Sequence, residues 1–530
     1  MGGFWDSIGH GIAAFSDFIC GYPLFFLLIG GGLFFLVYSK FAPLRYYGRA
    51  IGALRVKDDG AAGQISSFEA LTSAIAATVG MGNIAGVAVA LSIGGPGAIF
   101  WMWVSAIVGM ATKFFEGTLA VMYKGKDDAG ETQGGPMYMI VEGLGKNWKP
   151  LAVFFSIFGL IGTLCVMQAN QLTESVTTLF FAPEQNTATL RLIIGLVIMI
   201  IVSFVVIGGI QRISKIATKL VPTMVALYFL LVIFILIRHI GLVPGVFRDI
   251  FTGAFTPRGA LGGGIGSIIM IALTGVRRAA LVNEAGVGTA SMMHGASKNN
   301  EPVREGLVAM IGPSIDSGLV CTLTALAILI GSAIDPSIIP SGSGLNSMEG
   351  LRYALLAFGA AIPRVGGYLL FVMVILFAFS TMFSYSYYGQ KCTGFLFGAR
   401  YAKYYNYFFL AMLVVAAVIP LRVAVSLIDA AYALMAFPTM FTLFCLAPKA
   451  RKEMERNFAR HKKQRRSDHD ESALLYIRRG SESRGRPLWC GTGPRPDPGA
   501  AHPQGVRRRR DPRRLSFAQD QPQGSGSHCK

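Results

Sequence analysis

The chain is a succession of apolar runs of about 20 residues separated by short polar stretches. In helical form a run of that length crosses about 30 Å of hydrocarbon. Eleven such runs fall near 22–41, 65–93, 97–123, 151–180, 189–209, 217–238, 262–284, 305–332, 366–389, 405–420 and 423–446. Residues 5–18 and 349–361 have the pattern of shorter surface or interfacial helices. The periodicity therefore predicts an all-α integral membrane protein with about eleven transmembrane helices.

Composition agrees. Of 530 residues 53% are hydrophobic and 15% charged, with a mean hydropathy of +0.51. A soluble protein carries about a quarter charged residues. The net charge of +19 does not point to nucleic acid, because much of it sits in the tail, including Arg507, Arg508, Arg509 and Arg510. The rest clusters in alternate loops: Lys40, Arg45, Arg49, Arg55 and Lys57; Lys124, Lys126, Lys146 and Lys149; Arg212, Lys215 and Lys219. The series continues with Arg277, Arg278, Lys298 and Arg304, then Lys391, Arg400 and Lys403. Opposite loops are poorer, with Arg191, Arg238, Arg248 and Arg258. Basic loops stay cytoplasmic. The N-terminus is thus expected outside and the C-terminus inside the cell inner membrane, which requires an odd number of spans.

Three regions are expected. Residues 1–21 form an N-terminal interfacial segment, without the basic start of a cleaved signal. Residues 22–448 form the membrane domain, and 449–530 a basic cytoplasmic tail. Its first part, 451–466, suits anionic lipid; residues 467–530, rich in Arg, Gly, Pro, Ser and Gln, have a composition that argues for disorder. The seven cysteines lack metal-ligand spacing and mostly sit in apolar runs, as small core residues do.

The second run is interrupted. Its sequence reads Ala76-Ala77-Thr78-Val79-Gly80-Met81-Gly82-Asn83, and Thr78 lies roughly 20 Å along a helix starting at residue 65. Two glycines there weaken the helix, and an unwound segment in hydrocarbon needs a ligand or water for its carbonyls and amides. Carbonyls suit Na⁺. The amides opening the next half-helix, with their positive dipole end, suit a carboxylate. That combination fits a zwitterionic amino acid moving with a cation. The plainer alternative is close helix packing, for which Gly82 and Gly86 have the right spacing. A dinucleotide loop is excluded by the missing strand.

Five spans later comes a second interruption, with Thr274-Gly275-Val276-Arg277-Arg278 followed by Asn283-Glu284-Ala285-Gly286-Val287-Gly288. This is where an inverted repeat places one, pairing spans 2–6 with spans 7–11 after one extra span.

The run from Ala77 to Trp103 resembles the alanine or glycine:cation symporter family. So do Lys113-Phe114-x-Glu116, Gly134-Gly135-Pro136-Met137-Tyr138, Gln168-Ala169-Asn170, Asn283-Glu284-Ala285-Gly286 and Ile315-Asp316-Ser317 with Val320-Cys321-Thr322. The likeness covers roughly residues 1–450. It implies a leucine-transporter-type fold with a 5+5 inverted repeat and symport of alanine or glycine with Na⁺. Carried over by position, it implies a Na⁺ site from the carbonyls of Ala76 and Val79 and the hydroxyls of Ser380 and Thr381. It places the substrate carboxylate near Met81 and Gly82, with Thr78, Asn83, Thr274, Gly275 and Gln168 completing the pocket. No cofactor beyond the coupling ion is implied; the expected partners are Na⁺, a small neutral amino acid and the bilayer. Departures at Ala279-Ala280-Leu281-Val282, Met382-Phe383-Ser384-Tyr385 and Gln390 bear on the substrate more than on the mechanism.

Ionisable residues in spans are costly and usually paired or functional. Lys113 and Glu116, one turn apart, are expected to pair. For Asp316 and Asp429 a coupling role and a structural role both stand, Glu284 is expected at a gate or helix terminus, and His294 in a loop or exposed. A channel is the rival reading from another class. No nucleophile–base or metal motif points to an enzyme.

Overall fold

The computed structural model describes residues 2–54, 63–256, 264–338 and 350–484. Two compact units divide at Lys462: Met1–Lys462 and Lys463–Lys530. Residues 463–484 of the second unit are helical, although they carry no periodic apolar pattern; the tail beyond, 485–530, lies outside the described residues, as do Arg55, Lys57 and Arg258.

Among the described residues eleven apolar segments are long enough to span, one of them bent. They are α1 (Gly11–Tyr38), α2 in two halves, α2a (Ser67–Thr78) and α2b (Gly82–Gly94), α3 (Gly97–Met122), α4 (Lys146–Phe180) and α5 (Ala188–Val206). Then follow α6 (Gly209–Arg238), α7 (Gly266–Asn283), α8 (Pro302–Ile334), α9 (Gly366–Phe397), α10 (Ala399–Val418) and α11 (Val425–His461). The expected eleven spans are thus present, and the protein is a multi-pass membrane protein. The helix Gly2–Ile19, whose second half belongs to α1, and the shorter helix Gly350–Ala361 lie at the two places where shorter helices were expected.

The start of α2a is fixed locally. Ser66 accepts from the Glu69 amide while the Glu69 carboxylate accepts from the Ser66 amide at 2.8 Å, a reciprocal cap that satisfies two otherwise free amides. After Thr78 the chain turns extended at Val79 (φ −73°, ψ 91°), and α2b leaves at 54° to α2a, beginning with a wide π-turn at Gly82–Gly86.

A second break follows α7. Glu284, Gly286 and Gly288 all hold positive φ (53°, 89° and 96°), a conformation that only glycine adopts without strain, before a short helix runs from Thr289 to Gly295. This corrects the expected position of the interruption. Thr274 and Gly275 lie within a continuous helix, Gly264–Asn283. Gly275 is small for another reason: a Cβ there would come within 2.2 Å of the Ala98 carbonyl oxygen, so it permits α7 to press on α3. The same helix holds Arg277 and Arg278, which therefore do not belong to a basic loop.

The start of α2a is joined to the chain that follows the short helix after the second break. Gln64 donates its amide to Ala296 (2.7 Å), and Lys298 donates to Ile65 (2.6 Å). His294, buried and not exposed, meets Glu305 of α8 at 2.7 Å, and Glu305 also accepts from Ser67 (2.6 Å) and Asn299 (2.9 Å). α3 packs against α1, α7 and α8, while α2a packs on α6 and α9.

Candidate functional site

At the first break the Gly80 amide turns away from its helical acceptor and donates to Asn83 Oδ1 at 2.8 Å. The Ala76 carbonyl thereby loses its i+4 donor. Across from this point stands α9: a Cβ on Gly80 would lie 2.4 Å from Thr381 Oγ1, so the glycine is what lets the hydroxyl approach. Ser380 and Thr381 are buried, and each donates its hydroxyl proton to the Phe377 carbonyl, at 2.9 and 3.0 Å. Their lone pairs are left to accept. The structure thus brings the Thr381 hydroxyl against Gly80 in the first break, one turn from Ala76 and next to Val79 in the chain.

Beside this point a cavity of about 70 Å³ lies between the two breaks. Its first wall is Ala77, Thr78, Gly80, Met81 and Gly82, its second Leu281, Val282 and Glu284, and α4 contributes Met167 and Gln168. Tyr385 of α9 and Ile428, Asp429 and Tyr432 of α11 close it, with Arg278. Of the residues expected around a substrate, Thr78, Met81, Gly82 and Gln168 line the cavity. Asn83 does not: it is buried behind the break, its amide donating to Asp316 Oδ1. Thr274 and Gly275 do not either; the Thr274 hydroxyl donates back to the Met270 carbonyl at 2.8 Å.

The charged wall was not foreseen. Glu284 receives the hydroxyls of Tyr385, Tyr432 and Thr289. Arg277 lies 4.0 Å from Asp429 and 3.4 Å from Asp17. The second break is braced from α3, where Glu116 accepts the Gly286 amide at 2.5 Å and stands 3.9 Å from Lys113, the expected pairing. The signal for these roles was present as ionisable residues in apolar runs.

The model of the sodium:alanine symporter family matches residues 5–472. The chain belongs to that family. Its members are cation-coupled amino-acid transporters and not enzymes. The chain is 35% identical to the sodium/alanine symporter AgcS of Methanococcus maripaludis over 84% of its own length and 98% of the relative's. It is 37% identical to an uncharacterized transporter of Haemophilus influenzae, covering 85% and 96% of the two chains. It is 32% identical to the probable sodium/glutamine symporter GlnT of Bacillus subtilis, covering 83% and 88%. The crystal structure of MhsT in complex with L-phenylalanine matches 74% of this chain and 98% of that one, with a TM-score of 0.51 at 15% identity. That likeness shows the fold: a leucine-transporter-type bundle with α2–α6 and α7–α11 as its inverted halves.

Proposed function

We propose that this member of the sodium:alanine symporter family carries alanine or glycine into the cell together with Na⁺, by alternating access around the cavity between the breaks. The single observation that carries this reading is the size of that cavity. The cavity, about 70 Å³, is narrow, which favours a small side chain over that of glutamine, the substrate named for one relative. The polar wall of Arg278, Asp429 and Glu284 would suit a carboxamide chemically, but the volume favours the smaller substrate.

In this scheme the amides at Met81 and Gly82 receive the carboxylate at the positive end of α2b. Thr78 and Gln168 bound the same space. Na⁺ takes the carbonyls of Ala76 and Val79 with the hydroxyls of Ser380 and Thr381, and by binding one arrangement of the break better than the other it supplies the differential affinity that coupling requires. The basic loops that remain after Arg277 and Arg278 are set aside still favour an inner-membrane orientation with the N-terminus outside and the C-terminus cytoplasmic.

Uptake into proteoliposomes, with alanine, glycine, serine and glutamine under Na⁺, Li⁺ and H⁺ gradients, tests the reading. Saturable uptake of alanine or glycine that requires Na⁺ is expected. Flux that rises linearly with solute would indicate a channel, and preference for glutamine would refute the substrate assignment.

A further inference from the structure

α10 carries an aromatic stripe that stays largely uncovered. Tyr401, Tyr404, Tyr405 and Phe408 recur at three- and four-residue spacing and so share one face. The stripe is pinned at its middle. A Cβ on Gly389 of α9 would overlap the Tyr405 ring, so that glycine lets the ring sink between the helices. The Tyr405 hydroxyl lies 3.4 Å from Thr163 Oγ1 of α4. Tyr401, Tyr404 and Phe408 are left more than half exposed. With Phe397 and Thr393 of α9 and Leu160 of α4, these four rings line an open groove of about 570 Å³.

The groove is apolar along its length and basic at one end. Arg400 and Lys403 are exposed in the opening turn of α10, and Lys403 Nζ lies over the Tyr404 ring, 5.4 Å from its centre. Neither cation has an ion-pair partner among the described residues. Asp128, beside this turn, accepts the Ala399 amide at 2.7 Å and does not line the groove. Two cations and two phenols thus share residues 400–404, next to rings that face the hydrocarbon. A second groove along α4, between Phe158, Ile161, Leu427, Ala431 and Leu434, is lined by apolar groups alone. Hydrocarbon satisfies that second groove. The first offers an anion site as well.

We propose that the groove on α10 binds one anionic phospholipid, its acyl chain against Phe397, Tyr405 and Phe408 and its phosphate at Arg400 and Lys403. An unpaired guanidinium and an ammonium match a phosphate in charge and hydrogen bonding. Tyr401 and Tyr404, apolar in the ring and polar at the tip, suit the boundary between hydrocarbon and headgroups. In the orientation argued above this boundary belongs to the cytoplasmic leaflet, where basic residues attract anionic lipid. The lipid touches α4, α9 and α10 at once. Since α4 carries Gln168 and α9 carries Tyr385 to the cavity, its binding steadies two of the cavity walls. The inference rests on the chain being a multi-pass membrane protein and not on what it carries.

Thermal melting of the purified full-length protein, stripped of lipid in nonionic detergent, reads the site without transport. Phosphatidylglycerol is titrated in parallel with phosphatidylcholine and with inorganic phosphate. Phosphatidylglycerol is expected to raise the melting temperature saturably, as a ligand of the folded state does. Phosphatidylcholine lacks the net charge and inorganic phosphate the acyl chain, so both should shift it little. Arg400→Gln combined with Lys403→Gln alters only exposed side chains and should leave lipid-free melting unchanged. It should raise the half-effective phosphatidylglycerol concentration at least about tenfold. Phe408→Ser, on the exposed wall, should weaken the response with every basic residue kept. Lys215→Gln combined with Lys219→Gln removes the same charge from α6, outside the groove, and should keep the wild-type midpoint. Equal shifts with phosphatidylcholine would mark a hydrocarbon cushion only, and an equal shift with inorganic phosphate a free-anion site; either overturns the proposal. So does a wild-type midpoint in the Arg400 and Lys403 variant or in Phe408→Ser, or an equal loss in the Lys215 and Lys219 variant.

Discussion

The two breaks do the same mechanical job with opposite materials. At the first, Val79–Met81, the backbone is held by neutral groups: Asn83 takes the Gly80 amide, and the Thr381 hydroxyl sits against Gly80. At the second, Glu284–Gly288, the backbone is held largely by ionisable ones: Glu116 takes the Gly286 amide, and the Glu284 side chain gathers two tyrosines and a threonine. Asn283 and Thr439 add neutral support, accepting from the Ala285 amide and donating to the Val287 carbonyl, each at 3.0 Å. The first break is thus braced by neutral hydrogen-bonding groups and the second largely by carboxylates, so substitutions at the two should have different consequences.

Substitutions at either side separate these roles. The largest effect is expected for Gly82→Leu, because a Cβ at Gly82 already comes within 3.1 Å of Val282 and the remaining atoms enter the cavity. Uptake should be lost while membrane insertion persists, and normal uptake would remove the cavity from the account. Next comes Glu116→Ala, which strands buried Lys113 and the Gly286 amide; the loss should be about 3–5 kcal/mol of stability, read as a lowered melting temperature. Thr381→Ala should raise the half-saturating Na⁺ concentration about tenfold, equivalent to about 1.4 kcal/mol, with little change in alanine affinity at saturating Na⁺. Unchanged Na⁺ dependence would take α9 out of the ion site. The smallest effect belongs to Thr274→Val. Its hydroxyl serves its own helix, so stability and uptake should shift by no more than about 0.5 kcal/mol equivalents.

Much of this was legible in the chain. Apolar run length is a local property, and it located all eleven spans. The first break was legible because Gly80 and Gly82 stand one residue apart in mid-span, flanked by Thr78 and Asn83. The second was misplaced by about ten residues, since a glycine that breaks a helix and one that lets helices touch look alike in sequence. Gly275 packs on Ala98, whereas Gly286 and Gly288 turn the chain. The Gly-x-Gly spacing shared by 80–82 and 286–288 was the better guide. Arg277 and Arg278 read as loop residues because two adjacent arginines fit poorly in a span, and their acidic neighbours Asp17 and Asp429 are distant in sequence. Asn83 sits next to the pocket in the chain but is buried away from it, donating to Asp316, a partner 233 residues on that the sequence does not reveal.

The most direct test of the central claim is accumulation. Proteoliposomes holding the purified protein, given an inward Na⁺ gradient and no other energy source, should concentrate alanine above its outside level and release it when the gradient is collapsed. Alanine that only equilibrates, with or without Na⁺, would contradict the account.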